Sequence, residues 1–253
     1  MPSAVADVSS RCGAEAAETL EALEELRIEA GKRGWWSTAR LPEPLAKYVG
    51  LETEASTVRS FELELIPGLL QTEPYARELY VLRGTLTPDD LDRRVKARLR
   101  RQERLTSSSD DPLQLCALLS EAALQRCVRY PSVAPEQFNQ LIGWARLPHV
   151  EIRVLPFDVG LHRGMAGAFS LLSFPEGLLP DVGWQENPLG GHVVEDPTDV
   201  AFLAMLFAEL RGKALGSDES LTLFAELLGN ITHHTRKEGA CRRVPLTGQC
   251  PPP

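Results

Sequence analysis

The stretch PLQLCALLSEAALQRCV, residues 112–128, predicts a buried strand that leads directly into a helix. PLQLCALLS is a short apolar run, which is typical of a strand in the protein interior. EAALQRCV is predicted to be helical. Further strands and helices alternate on both sides of this stretch, so the pattern indicates an α+β or mixed α/β fold.

The other strands are predicted from alternation or from short apolar runs. In STVRSFELEL, residues 56–65, the apolar residues Phe61, Leu63 and Leu65 alternate with polar ones, which is the period of a half-buried strand. A turn is predicted at Gly190-Gly191. The remaining strands are HVEIRVLPF (149–157) and a pair formed by AFSLLSF (168–174) and DVGWQEN (181–187).

Helices fill the intervals between these strands. The clearest is TPDDLDRRVKARLRRQERL, residues 87–105, with Thr87 as the N-cap and Pro88 in the first turn. An acidic helix is predicted over residues 14–31. The other helices are predicted within LPEPLAKYVGLETEAS (41–56), from Thr72 or Glu73 onward, at 134–147, at 198–213 and at 217–232.

The chain divides into three parts. Residues 1–33 are predicted to be an acidic N-terminal helix or linker, residues 34–232 a single compact domain, and residues 233–253 a disordered tail. The domain is expected to contain a small mixed sheet flanked by helices.

Composition narrows the class of protein. The 253 residues include 27 Lys and Arg against 35 Asp and Glu, for a net charge of −8. An acidic balance does not favour nucleic acid, because cations supply the nonspecific part of that affinity. No signal peptide or apolar run long enough to span a membrane is recognised. The five cysteines form no C-x-x-C pair, so free thiols and a cytoplasmic location are expected.

No catalytic or phosphate-binding motif is recognised, and neither a metal site nor a cofactor is expected. Three side chains remain as catalytic candidates. His162 lies in a glycine-rich loop after a strand, where it could move a proton or simply bind a loop carbonyl. Glu121 and Glu186 each end an apolar strand and could line a cleft, although Glu121 could instead cap the following helix.

Aromatic side chains are candidates for the walls of a ligand pocket. They are Trp35, Trp36, Tyr48, Tyr75 and Trp184, and the alternative for most of them is the hydrophobic core.

The helix at 91–104 is strongly basic. It contains seven Lys or Arg residues against Asp92 and Glu103. Contact with nucleic acid is one interpretation of this charge. The interleaved leucines favour another, an amphipathic surface helix whose arginines pair with acidic neighbours.

Several blocks in order, including LPEPLAKYVGLETEASTVRSFELELIPGLLQTEPYAREL, RVKARLRRQERL and HVEIRVLPFDVGLHRGMAGAFSLLSF, resemble a known family. It is the effector domain of unknown function that follows an XRE-type helix-turn-helix in streptomycete antitoxin-like transcriptional regulators. The resemblance covers about residues 34–228. It implies an α+β domain for signal sensing and protein partnering.

The resemblance nominates residues in the matching blocks. As ligand-binding candidates it adds Gln71, Arg101 and Gln102 to Trp35, Trp36, Tyr75 and Trp184. Pro67, Gly68, Pro156 and Gly164 are nominated with them, as are the three catalytic candidates.

The resemblance implies a helix-turn-helix before this domain, whereas only 33 residues precede Gly34 and they are acidic. We therefore expect an effector that binds a small hydrophobic ligand or a companion protein and does not bind DNA directly. A homodimer is an alternative to the monomer. The competing hypothesis is a cofactor-free cyclase or isomerase, recruited from the regulator pocket in secondary metabolism, that acts by orienting a hydrophobic substrate.

Overall fold

A six-stranded mixed sheet forms the centre of the molecule. The computed structural model describes residues 34–82, 84, 86–106, 112–175, 179–187 and 190–241. The strands are β1 (Thr57–Glu62), β2 (Gln114–Ser120), β3 (Val150–Leu155), β4 (Phe169–Ser173), β5 (Val182–Asn187) and β6 (Gly190–Val194). Their order across the sheet is β3-β2-β1-β4-β5-β6.

The sheet changes character at β1. On one side β1 pairs with β2, and β2 with β3, in parallel. On the other side the pairs β1–β4, β4–β5 and β5–β6 are all antiparallel. β1 and β5 therefore run in the same direction, with β4 between them.

Seven α-helices lie within the described residues and cover both faces of the sheet. They are α1 (Glu43–Glu54), α2 (Glu73–Leu82), α3 (Pro88–Thr106), α4 (Glu121–Val128), α5 (Ala134–Trp144), α6 (Pro197–Lys213) and α7 (Ser217–Cys241). α6 packs its apolar side chains on one face against Phe61, Leu118 and Leu171. Residues of the other helices join the larger core on the opposite face, which we call the first face. The predicted α+β class and the single domain are confirmed.

Local signals set the starts of several helices. Thr87 caps α3 as predicted, because its Oγ1 accepts a hydrogen bond from the Asp90 amide at 3.2 Å. Asp196 caps α6 through the amide of Thr198 at 2.8 Å. At α4 the cap is Ser120, whose Oγ accepts from the Ala122 amide at 3.3 Å, so the prediction that Glu121 might cap this helix is wrong.

Three boundaries differ from the predictions. β1 ends at Glu62, so Leu63 and Leu65 lie outside the strand. Gly190 and Gly191 open strand β6 rather than forming a turn, because they pair with the end of β5. α7 continues to Cys241, beyond the predicted end of this helix at residue 232.

Two further predictions fall outside the described residues. The acidic helix at 14–31 is one, and the remainder of the tail, residues 242–253, is the other. Among the described helices, none is long and apolar enough to cross a membrane.

Candidate functional site

A part-enclosed cavity lies between the first face of the sheet and helices α1, α2 and α3. Its free volume is about 80 Å³. Strands β1, β4 and β5 form its floor, and the three helices with the loop at 65–71 form its walls. It lies toward the carboxyl ends of β1 and β5, beside the change from parallel to antiparallel pairing.

The floor of the cavity is a row of cross-strand neighbours. Ser60 of β1 pairs with Ser170 of β4, and Ser170 pairs with Trp184 of β5. Ser60 is only 4% exposed, yet its Oγ has no hydrogen-bond partner among the described residues. Trp184 packs its ring against that of Tyr48 with the centroids 5.0 Å apart. The floor therefore combines an aromatic surface with an unused hydroxyl.

The carboxyl groups of Glu62 and Glu186 lie on the same face of the sheet, two residues along β1 and β5 from Ser60 and Trp184. The strand register, extended by one residue, places Glu62 and Glu186 on either side of the small side chain of Ala168. Burial, and then the nearby charge of Glu186, raise the pKa of Glu62 to about 8. Near neutral pH the Glu62 carboxyl therefore holds its proton and can donate a hydrogen bond. Glu186 is exposed at the rim.

Arg98 of α3 reaches the cavity from the opposite wall. Its Nη1 donates to Oε1 of Gln71 at 2.7 Å, and its Nη2 donates to the hydroxyl of Tyr80 at 3.0 Å. Both acceptors are neutral. Its Nε is buried and has no partner among the described residues.

Arg101, one helical turn further along α3, is held by a carboxylate. Its Nε and Nη2 donate to the two oxygens of Glu52 at 2.7 and 2.6 Å. Burial is the largest single effect and works against the charged guanidinium, but the charge and hydrogen bonds of Glu52, together with Tyr48 and Tyr80, outweigh it, so the pKa of Arg101 is raised. Arg101 also lies over the ring of Tyr48, 5.4 Å from its centroid. Its charge is therefore already neutralised in the wall of the cavity.

Gly68 allows the loop at 65–71 to approach both guanidinium groups. A Cβ on this residue would lie 3.1 Å from Nη1 of Arg98 and 3.3 Å from Nη1 of Arg101. Such contacts are tight, so any larger residue would press on both arginines.

Buried hydrogen bonds hold the same loop from behind. The Gln71 amide donates to the carbonyl of Ile66 at 2.7 Å, and the Gln102 amide donates to the carbonyl of Gln71 at 2.5 Å. The hydroxyl of Tyr75 accepts from the Ile66 amide at 3.1 Å, and burial raises the pKa of Tyr75 to about 12. The loop is therefore fixed before any ligand arrives.

The structure brings together some of the predicted site residues. Gln71, Arg101, Trp184 and the catalytic candidate Glu186 all line the cavity. Tyr75 and Gln102 do not line it but support the loop that does.

Four other predicted site residues lie away from the cavity, and two of them are Trp35 and Trp36. Trp36 is buried in the first-face core and contacts Gly50 of α1. Trp35 lies under the guanidinium of Arg100, 4.9 Å from its ring centroid.

The other two are Glu121 and His162. Glu121 accepts a hydrogen bond from the Phe157 amide at 3.0 Å and so anchors the loop after β3. His162 lies on the opposite side of the sheet, edge-on to the ring of Phe61 at 6.0 Å. Burial and the charge of Lys213 lower the pKa of His162. Neither residue lines the cavity.

Sequence reasoning missed Ser60, Glu62 and Arg98. Ser60 and Glu62 are the polar members of the alternating strand β1, a pattern typical of residues that face solvent. Here helices cover that face, so the polar side chains point into the cavity. Arg98 was one of seven basic residues on α3, and no local signal separates it from the others.

The site can bind an anion and donate hydrogen bonds to it. Arg98 supplies a positive charge, and Ser60 and protonated Glu62 supply hydroxyl donors. Among the residues that the structure describes, no group of three His, Cys, Asp or Glu side chains could hold a metal ion.

The sheet, its covering helices and the polar cavity define an α+β protein with a part-enclosed polar cavity on one face of the sheet. The chain belongs to the family described as Domain of unknown function (DUF5753), whose model matches residues 45–226. All the residues that line the cavity fall within this range. No curated protein matches the chain, and no solved structure matches it.

Proposed function

We propose that this chain is a cytoplasmic effector, related to XRE-family antitoxin-like regulators, that binds a small ligand in the cavity and influences transcription through a companion protein. The principal support is the pair of buried polar atoms, Ser60 Oγ and Arg98 Nε, that lack partners among the described residues. Buried polar groups are nearly always hydrogen-bonded. Both residues line the cavity, so a ligand bound there would lie beside them.

The rigidity of the walls supports binding as the main activity. The Arg101–Glu52 pair and the amide contacts of Gln71 and Gln102 are formed without a ligand. A preformed site spends little free energy on ordering its side chains when a ligand binds.

The arrangement of α3 supports the absence of direct DNA contact. Arg98 and Arg101 point into the protein, and Arg104 donates to the carbonyls of Thr53 and Ala55. These groups are used internally, so only part of the basic sequence is left for phosphates. A gel-shift titration at low salt that shows tight binding would contradict this part of the proposal.

Complementation of a deletion strain tests the effector function. Ser60→Leu should fill the floor of the cavity, and Ser132→Leu makes the same substitution at an exposed turn. We expect deletion to change transcript levels, and we expect Ser132→Leu but not Ser60→Leu to restore them. Purified Ser60→Leu must retain a cooperative thermal transition for the comparison to count. Unchanged transcripts in the deletion strain would contradict the proposal.

One observation favours the enzyme as a second candidate. Glu62 and Glu186 share one row, and the raised pKa of Glu62 gives a protonated carboxyl beside a second carboxyl group. Such a pair can act as general acid and general base, as a cofactor-free isomerase or cyclase requires. Metabolite profiling of strains with wild-type protein or Glu62→Gln tests this. Accumulation of one intermediate would favour the enzyme, and identical profiles would exclude it.

A further inference from the structure

We propose that the cavity is selective for small monocarboxylates, with the ligand carboxylate bound by Arg98 and Ser60 and the apolar part lying toward the aromatic floor. This inference rests on the proposed function insofar as it takes the cavity to be a ligand site. It adds the chemical class of the ligand, for which the charges in the cavity provide the evidence.

The two arginines of the cavity differ in their partners. Arg101 has a bidentate carboxylate partner in Glu52. Arg98 donates to the neutral oxygens of Gln71 and Tyr80, lies over the ring of Tyr80, and forms no ion pair with a described carboxylate. These two bonds use two of the five N–H groups of a guanidinium. Arg98 is therefore a cation in the cavity wall with donors left for an anion, and carboxylates match the planar geometry of its donors.

The protonated state of Glu62 also favours an anion over a cation. The charged groups that act on Glu62 are Glu186 from β5 and Arg98 and Arg101 from α3. A ligand ammonium placed beside Glu62 would lie close to both guanidinium groups. A ligand carboxylate would instead accept a hydrogen bond from the Glu62 carboxyl. Tyr75 of α2 is also within electrostatic range, and its raised pKa keeps it neutral.

The size of the cavity limits the length of the ligand. One water needs roughly 10–15 Å³ of such volume, and the cavity offers about 80 Å³. It therefore accommodates roughly five to eight non-hydrogen atoms. Butyrate and hexanoate fall in this range, whereas decanoate exceeds it.

Binding of defined probes tests the selectivity. The probes are sodium butyrate and sodium hexanoate, compared with butyramide, butylammonium chloride and sodium decanoate at equal ionic strength. Affinity is measured from Trp fluorescence and from the thermal midpoint of the full chain. We expect the two short carboxylates to bind, and the amide, the amine and decanoate to bind at least about tenfold more weakly, because they lose the charge-assisted contact or the fit.

Variants assign the contact to Arg98. Arg98→Met keeps the aliphatic stem but removes the charge, and should lower butyrate affinity at least about tenfold. Lys96→Met removes an exposed charge from the same helix and should leave affinity unchanged. If Arg98→Met does not fold, Ser60→Ala tests the same carboxylate contact and should also weaken binding. Equal butyrate affinity in wild type and the folded variants would overturn the assignment.

The pH dependence provides an independent readout. Ionisation of Glu62 places a negative charge beside the bound carboxylate, so butyrate affinity should fall as pH rises past about 8 in wild type. Glu62→Gln should remove this fall. An affinity that does not change over this range in wild type would contradict the arrangement.

The two proposals can fail separately. If no carboxylate binds but transcripts still depend on an open cavity, the ligand class is wrong and the effector function stands. If butyrate binds through Arg98 but deletion leaves transcripts unchanged, the effector function is wrong and the carboxylate site stands.

Discussion

Glu52 and Arg101 form an ion pair whose side chains are only 4% and 8% exposed. Glu52→Gln would leave the Arg101 charge buried without a counter-charge, so we expect a loss of about 3–5 kcal/mol in the free energy of unfolding. Glu73→Gln breaks the exposed pair with Arg77 and should cost no more than about 1 kcal/mol. Urea denaturation measures both. Similar losses in the two variants would show that burial of the pair is not the cause.

The protonation of Glu62 links stability to pH. Its pKa is raised in the folded state from 4.5 to about 8. Between these values the folded protein holds a proton that the unfolded chain releases, so this group makes stability fall as pH rises through that interval. Glu62→Gln should therefore gain stability relative to wild type as pH increases from 4.5 to 8.

Urea denaturation at several pH values measures the difference between Glu62→Gln and wild type. Glu64→Gln is the matched control, because Glu64 is exposed and pairs with Arg126 at the surface. It should follow the wild-type curve more closely. A constant difference between Glu62→Gln and wild type at all pH values would contradict the raised pKa.

At the level of elements, α5 holds the loop of the cavity through one side chain. Gln137 is fully buried. Its Oε1 accepts from the Thr72 amide at 2.9 Å, and its Nε2 donates to the carbonyl of Leu70 at 2.7 Å. Gln137→Leu should leave both backbone groups unpaired, at about 1–3 kcal/mol for each.

Hydrogen exchange localises the effect of Gln137→Leu. We expect faster exchange in residues 66–72, because these amides lose their anchor. Gln140→Leu changes a half-buried residue of the same helix and should leave exchange in this loop as it is. Uniformly faster exchange across the whole sheet would instead indicate global destabilisation.

The strands and helices were easier to predict from the sequence than the set of residues that come together in the cavity. The strand at 114–120 and the helix after it follow from a short apolar run and a helix cap, which are local signals. Strand β6 was missed because the pairing with β5 overrides the turn preference of Gly190 and Gly191. Local preference is a weak guide wherever distant pairing decides the structure.

The cavity itself depends on contacts that are distant in sequence. Ser60 and Arg98 line the same cavity but lie on elements separated by a loop and a helix. Trp184 and Glu186 were nominated for their chemistry, and the fold happens to place them with these two. His162 and Glu121 were nominated on equal grounds, but the loop after β3 and the start of α4 place them away from the cavity. Residue type alone does not distinguish the two outcomes.

On the scale of the whole molecule, the central sheet couples the two cores. Leu210 is fully buried in the core beneath α6, whereas all four tryptophans lie in or against the first-face core. Leu210→Ala should cost about 2–5 kcal/mol. Because both cores share the sheet, tryptophan fluorescence and far-UV circular dichroism should report the same shifted transition.

Leu161→Ala is the control for this prediction. Leu161 is 89% exposed, and its truncation should change stability by no more than about 0.5 kcal/mol. Separate transitions by the two methods in Leu210→Ala would mean that the faces of the sheet unfold independently.

The central position of β1 has a consequence for synthesis. Among the strands that the structure describes, β1 is the first to leave the ribosome, but its antiparallel neighbour β4 is more than a hundred residues away in the chain. Until β4 and β5 emerge, Ser60 and Glu62 lie on a strand with one open edge, and the floor of the cavity is missing. Under the proposed function, a nascent chain therefore could not bind a ligand before β4 and β5 have emerged.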